Sequence, residues 1–242
     1  MAILVTGATG RIGRHLVKAL LDRKEEVRIL VYGEEKVPFE NVEISYGDVA
    51  DKETVRKAMY HCDTVFHLAA IVDYAAPKDL IYNVNVLGTK NLLELARIKK
   101  VESFLFFSAG AVYGEFSEND VSIKENVFGS LDPTDLGSCY PESKRIGETM
   151  CISWFHQFSV PAKIVRPAHI YGPGVRLDDG RVYADFVSDI VNNRNITMKS
   201  DGKAVRTFCY IADATVVFFL ALLKGENGQA YNIADNSGEI SI

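Results

Sequence analysis

The first thirteen residues constrain this chain more than any other stretch. A short apolar run, Met1-Ala2-Ile3-Leu4-Val5, passes directly into Thr6-Gly7-Ala8-Thr9-Gly10-Arg11-Ile12-Gly13, after which Ile12, Leu16, Ala19 and Leu20 recur at helical spacing. The pattern predicts a strand over Ile3–Thr6 and a helix over Arg11–Asp22, joined by a turn containing three glycines. Glycine at 7, 10 and 13 permits a tight turn, close approach of backbone to a pyrophosphate, and close helix–strand packing. The N-terminus of the helix then offers backbone N–H groups and a positive dipole end to an anion. A glycine triplet alone is weak evidence; its strand–turn–helix setting is what phosphate binding requires. No basic leader or cleavage pattern precedes the run, so it reads as a strand rather than a targeting segment.

Beyond this opening, β-rich runs alternate with helical patterns. Strands are expected at Val27–Tyr32, Val42–Tyr46, Thr64–Leu68, Ser103–Ser108 and Ala162–Arg166, with helices at Lys52–Tyr60, Leu80–Lys99 and Pro141–Phe158. That alternation is the signature of an α/β fold with a doubly wound parallel sheet, the Rossmann arrangement. After Pro167 the texture changes. Loops at Tyr171-Gly-Pro-Gly174 and Asp178-Asp-Gly-Arg181 precede a helix over Val182–Asn192, strands near Ile196–Lys199 and Thr207–Ile211, a helix over Ala212–Lys224 and a strand at Tyr231–Ile233. Residues 1–167 are thus expected to form the nucleotide-binding domain, and 168–242 a small, incomplete substrate lobe interleaved with the sheet at its carboxyl edge.

Composition removes several classes of function. A net charge of −5 argues against a general nucleic-acid binder, which shows a basic balance or stripe. The longest apolar run, Ala214 to Leu223, is too short to span a bilayer, so no membrane partner is expected and a cytoplasmic protein is the default. Cys62, Cys139, Cys151 and Cys209 are scattered, as are the five histidines, so neither a metal site nor a disulfide framework is expected.

Further motifs in order along the chain resemble the extended short-chain dehydrogenase/reductase family, the nucleotide-sugar epimerases and dehydratases in particular. The glycine spacing of residues 7–13 is one. Gly47-Asp48-Val49 looks like the family's adenine-binding aspartate, and His67-Leu68-Ala69-Ala70 like the strand end that lies against the cofactor. Asn85-Val86-Leu87-Gly88-Thr89 and Tyr140-Pro-Glu-Ser-Lys144 match its helix motifs; Arg166-Pro167 through Gly174, and Arg206 to Asp213, match its later segments. The resemblance implies a nicotinamide dinucleotide held by Gly7, Thr9, Gly10, Arg11, Ile12, Gly13, Asp48, Val49, Leu68, Ala69, Ala70, Asn85, Tyr140, Lys144 and Pro167. The acid that usually holds the NAD ribose is missing where the second strand ends, Val31-Tyr32-Gly33, and Glu34 and Glu35 lie beyond the expected position. With Arg11 in the glycine turn, this leans the choice between NAD and NADP slightly to NADP; the bland alternative is that Arg11 is a solvated first-turn residue.

Tyr140 and Lys144 lie four apart and so share a helix face. A phenol is a poor base at neutral pH until a neighbouring ammonium stabilises its phenolate. The resemblance implies that division of labour, with Tyr140 moving the substrate proton while the nicotinamide carries a hydride. The family's third member, a Ser or Thr after the fifth strand, aligns with Ala109; either Ser108, one residue early, or a water substitutes, or activity is much reduced. Gly110-Ala111 stands where dehydratases carry an Asp-Glu pair, which disfavours elimination of water.

On the substrate side, Arg206 aligns with the arginine that reaches a substrate diphosphate, for which its planar, permanently charged fork is suited. Arg181 lies in Asp178-Asp-Gly-Arg181-Val182-Tyr183, which resembles the base-binding segment of this group, of UDP-glucuronate decarboxylases especially. His169 stands where epimerases place Asn, and either donates to the substrate or faces solvent. The most economical expectation is a nucleotide-sugar 4-epimerase. The alternatives are a dihydroflavonol-reductase-like NADPH-dependent carbonyl reductase, which the run Asp73-Tyr-Ala-Ala-Pro77 resembles, and a cofactor-binding protein with weak or no catalysis. The resemblance also implies a homodimer through the Leu80–Lys99 and Pro141–Phe158 helices. At 242 residues the chain is short for this family, so the cofactor half is expected to be complete and the substrate lobe truncated.

Overall fold

The computed structural model describes residues 2–33, 37–114, 123–177, 180–198, 202, 205–235 and 239–241. Seven parallel strands form the main sheet: β1 (Ala2–Thr6), β2 (Val27–Val31), β3 (Glu43–Tyr46), β4 (Cys62–His67), β5 (Ser103–Phe107), β6 (Ala162–Pro167) and β9 (Ala230–Ile233). Their spatial order is β3-β2-β1-β4-β5-β6-β9, so the direction of winding reverses between β1 and β4. Ligands of such sheets bind outside the carboxyl ends of the strands at that reversal.

Alternation along each strand feeds two cores. Val5, Ile29, Phe66, Leu105 and Val165 pack on one face against Leu16 and Leu20 of α1 (Arg11–Asp22) and Phe218 of α7 (Ile211–Lys224). Leu4, Leu30, Val65, Phe104, Phe106 and Ile164 pack on the other against Val55 of α2 (Lys52–Ala58), Leu92 and Leu93 of α4 (Thr89–Lys99), and Cys151 of α5 (Cys139–Phe158). Burial on both faces is why these strands read as near-continuous apolar runs.

Three features differ from the sequence expectation. The helix expected over Leu80–Lys99 is α3 (Lys78–Tyr82), a π-helical segment Asn83–Gly88, and α4. The extra residue per turn cannot be seen in a 3.6-residue period. The strand expected near Ile196–Lys199 does not form over 194–198, and Lys199 lies outside the described residues. Asn193 instead takes a left-handed φ of 52°, and Arg194 folds back onto Asp189 of α6 (Val182–Val191). The strand expected at Tyr231–Ile233 starts at Ala230 and lies in the main sheet: β9 pairs with β6, with Ile164 opposite Ala230 and Pro167 opposite Ile233. A second, three-stranded sheet contains β7 (His169–Tyr171), whose last residue is expected in a loop, β8 (Val205–Tyr210) and β10 (Glu239–Ser241).

Candidate active site

The turn after β1 meets the loop after β4 at the sheet's reversal point. Gly7 has φ +68°, and a Cβ there would sit 2.7 Å from Leu68 C and Ala69 N. A Cβ on Gly13 would stand 2.2 Å from Gly7 O, so the third glycine lets α1 close on the turn. Gly10 caps α1 with no side-chain acceptor, its N–H closing the turn on Gly7 O at 3.1 Å. The first-turn N–H groups of a helix have no acceptor within it, so this end presents donors beside the backbone of Leu68 and Ala69. Thr9 lends only its carbonyl, which accepts from Arg14 Nε at 2.7 Å, while Ile12 is half-buried against the α1–α7 core. These features fit a dinucleotide pyrophosphate. Arg11 turns elsewhere: its Nη1 donates to Ile170 O at 2.6 Å, tying α1 to β7.

Asp48 follows β3 and uses one carboxylate oxygen to accept Ala50 N at 2.8 Å. Val49 is buried beneath Gly88, where a Cβ would approach Val49 Cγ2 to 2.7 Å. Asn91, which the sequence reading passed over, holds this corner by donating to Val49 O and Ala50 O at 3.1 and 2.9 Å. Glu34 and Glu35 lie outside the described residues.

Between β4 and α3 the residues Leu68, Ala69 and Ala70 are half-buried, with the backbone of the first two against Gly7. Buried Asn85, inside the π-helical segment, uses its amide fully. Oδ1 accepts Ile71 N at 2.8 Å, and Nδ2 donates to Ile71 O at 3.0 Å and Ser143 Oγ at 2.9 Å. Ser143 in turn donates to Tyr140 O at 2.7 Å. The helix motif and the Tyr–Lys motif are therefore joined by hydrogen bonds.

Tyr140 and Lys144 lie at the start of α5, where Pro141 is tolerated because first-turn N–H groups need no helical partner. Tyr140 is 9% exposed, its ring 5.5 Å from that of Tyr74 in an edge-on contact. Burial and the Tyr74 phenol push its pKa up, and the Arg181 cation pulls it down. Lys144 is buried; its ammonium donates to Phe107 O at 2.7 Å and sits 5.1 Å above the Phe106 ring. Burial lowers its pKa to about 8.

Ser108 follows β5 directly, and its hydroxyl donates to Glu148 Oε1 at 2.5 Å, away from the position of Ala109. Glu148 also takes both arms of Arg166, from Nε at 2.9 Å and Nη2 at 2.7 Å. Arg166 Nη1 donates to Tyr113 OH at 2.7 Å, and Tyr113 OH to Asn232 Oδ1 at 2.7 Å. This network binds α5, β6, β9 and the Gly110–Tyr113 turn together. No spacing in the sequence pairs Glu148 with Arg166, which is why sequence reasoning missed it. Pro167 ends β6 beside the network, its carbonyl 3.4 Å from where a Cβ on Gly110 would stand.

His169, Arg181 and Arg206 come from β7, the residue capping α6, and β8. Burial lowers the His169 pKa, and the charges of Arg206 and then Arg181 lower it further, so the three share one electropositive region. The His169 ring lies 5.6 Å from Phe208, whose other ring neighbours are Tyr171 and Tyr183. Arg206 is exposed and donates to its neighbour Val205 O at 2.8 Å. Asp178 and Asp179 lie outside the described residues. Among the described residues no group of three His, Cys, Asp or Glu side chains is placed to hold a metal ion, and no helix is long and apolar enough to cross a membrane.

Comparison with known proteins agrees with this arrangement. UDP-glucuronic acid decarboxylase 1 of Arabidopsis thaliana is 32% identical over 252 residues, covering 100% of this chain and 56% of that protein. UDP-glucuronic acid decarboxylase 1 of Xenopus tropicalis is 30% identical over 255 residues, covering 99% and 57%. The chain therefore spans little more than half the length of these two relatives. Among solved structures, a Thermus thermophilus UDP-glucose 4-epimerase in complex with NAD matches with TM-score 0.84 at 28% identity, over 100% of this chain and 79% of that one. UDP-glucuronic acid 4-epimerase from Bacillus cereus, solved with UDP-glucuronic acid and NAD, matches with TM-score 0.83 at 28% identity, over 100% and 80%. The model of the NAD dependent epimerase/dehydratase family matches residues 3–234. With fold, glycine turn and Tyr–Lys helix all in agreement, the chain belongs to that family.

Proposed function

We propose that this protein binds NAD and interconverts the C4 epimers of a UDP-hexose or UDP-hexuronate. The observation that carries the reading is the start of α5, where buried Tyr140 and Lys144 stand one turn apart and Tyr140 is tied through Ser143 and Asn85 to Ile71, in the segment that meets the glycine turn. Arg206 and Arg181 take the diphosphate, and His169 donates to the sugar side. Gly7, Thr9, Gly10, Ile12 and Gly13 take the pyrophosphate of the cofactor; Asp48 and Val49 take its adenine; Leu68–Ala70, Asn85 and Pro167 wall its remaining length. NAD supplies the hydride acceptor when bound. Tyr140 removes the C4 hydroxyl proton and later returns it, and Lys144 holds the positive charge that favours the phenolate. Lowered to about 8, Lys144 remains mostly charged at neutral pH.

NAD is preferred here over the NADP suggested by the missing acid. Arg11 is engaged with Ile170 O, and the matched structures just described were solved with NAD. Decarboxylation, the activity named for the curated relatives, is disfavoured by Ala109 and Ala111, where the resemblance places Thr and Glu. Ser108 supports the end of β5 through Glu148, which leaves water to fill the place of the positioning hydroxyl. Cys62, Cys139, Cys151 and Cys209 are free, and a cytoplasmic location is part of the proposal. A second copy is proposed to cover the face where Tyr82, Leu87 and Ile146 are 46%, 41% and 46% exposed.

Incubation of the purified protein and NAD with UDP-glucuronate or UDP-glucose, followed by mass spectrometry and NMR of the product, tests the proposal. The expected product is the 4-epimer without net reduction of NAD. Formation of a UDP-pentose with loss of carbon dioxide makes the protein a decarboxylase, and stoichiometric consumption of NADPH on a carbonyl makes it a reductase. Binding of NAD with no turnover of either sugar would sink the epimerase assignment.

A further inference from the structure

His67, the last residue of β4, is 1% exposed and lies beneath the proposed cofactor site, yet the roles assigned above do not use it. Its ring makes two hydrogen bonds, Nδ1 with Thr6 Oγ1 at 2.8 Å and Nε2 with Thr89 Oγ1 at 2.9 Å. Their directions follow from counting protons. A threonine hydroxyl has one hydrogen to give. Thr89 spends its hydrogen on Asn85 O at 2.6 Å, so it can only accept from His67, and the ring must carry its proton on Nε2. Nδ1 is then a bare acceptor and takes the hydrogen of Thr6. Thr6 Oγ1 accepts in its turn from Ala69 N at 3.1 Å. Every donor in the chain is matched once, with no spare hydrogen.

The far ends of this chain meet again. One end holds Ala69, and the other reaches Asn85, whose side chain grips both backbone groups of Ile71 and, through Ser143, the carbonyl of Tyr140. We infer that His67 is a positioning residue: as a neutral Nε2–H imidazole it clamps the segment 68–71 between the glycine turn and the Tyr140 helix. A protonated ring would put a second donor against the hydrogen of Thr6, which would then have to turn away from the ring and lose its acceptor. Burial and the facing Lys144 ammonium both oppose that protonation, lowering the pKa to about 3. The clamp matters because Leu68 and Ala69 lie where a Gly7 Cβ would collide, so the segment it holds is the one packed directly on the glycine turn.

The tautomer stands independently of the proposed activity, whereas the effect on affinity rests on the NAD reading. The test uses the whole purified protein. Nitrogen-15 NMR of its labelled histidines should show one ring with the proton on Nε2, unchanged between about pH 5 and pH 9. NAD titration should show Thr6→Val and Thr89→Val each binding about tenfold more weakly, with Thr6→Ser within about twofold of wild type. That rescue separates lost hydrogen bonding from lost packing, and Thr89→Val serves if Thr6→Val does not fold. A proton on Nδ1, a ring titrating near its ordinary value, or both valine variants binding NAD like wild type would overturn the inference. Wild-type protein that binds no NAD defeats the cofactor reading instead, and the NMR signature then decides the role of His67.

Discussion

Replacing Glu148 with alanine tests whether the polar network under the active site holds it together. In the bidentate pair with Arg166 the side chains are only 9% and 12% exposed, so removing the carboxylate leaves a guanidinium buried without its counter-charge. Breaking a buried pair from one side costs about 3–5 kcal/mol. The residual exposure places Glu148→Ala near the lower end, and Ser108 loses its acceptor as well. For a chain of this size each kcal/mol moves Tm by about 2–4 °C, so a drop of about 6–12 °C is expected in a thermal melt. Removing both charges is a gentler change. Glu148→Leu with Arg166→Met leaves no buried ion, and the double variant should melt above Glu148→Ala. A Glu148→Ala melt within about 2 °C of wild type, or a double variant losing the sum of both single losses, would refute the reasoning.

Other expectations follow from single contacts. Gly7→Ala forces a Cβ into the backbone at Leu68 and Ala69 from a left-handed φ, so NAD affinity measured by calorimetry should fall at least about tenfold. Tyr140→Phe keeps the ring against Tyr74 but removes the proton carrier; epimer formation should slow by at least about a hundredfold, and an unchanged rate would remove Tyr140 from the mechanism. Lys144 has a folded pKa of about 8, below its ordinary 10.5, so between those values the unfolded chain keeps a proton that the folded state has released. Stability relative to Lys144→Met should therefore be flat below about pH 7 and rise by up to about 1.4 kcal/mol per pH unit above 8, as read by urea unfolding.

The main sheet was largely legible because its strands are buried on both faces and interrupted by amphipathic helices, a pattern that survives in one dimension. Arg11–Asp22 was located to the residue, since its glycine turn and apolar stripe mark both ends. The second sheet was harder to read. His169–Tyr171 is three residues long and pairs only with a strand far along the chain, so no local period announces it. Tyr231–Ile233 is legible as a strand, but its pairing with β6 is not, because register is a tertiary fact. At the site, Tyr140 and Lys144 are singled out by a motif that resembles the family's, since any helix can carry the two at that spacing, and both stand in the first turns of α5. Glu148 with Arg166, and the circuit through His67, join side chains from different elements, and only the folded chain brings them within bonding distance.

The helix whose first turn faces the proposed pyrophosphate also holds the second sheet. Arg11 of α1 donates to Ile170 O, and His15, one turn on, is hydrogen-bonded to Pro173 O at 3.1 Å. The two halves of the proposed site therefore share a strut. Coupling between two binding equilibria is reciprocal: whatever factor one ligand adds to the affinity of the other is returned in full. A sugar nucleotide that draws 169–173 inward would tighten the grip on NAD by the same factor with which NAD prepares the sugar pocket. An enzyme that must keep its dinucleotide through each oxidation and return would gain most from such a strut. Cutting it at Arg11 should loosen both ligands together while leaving every atom that touches the reacting carbon in place.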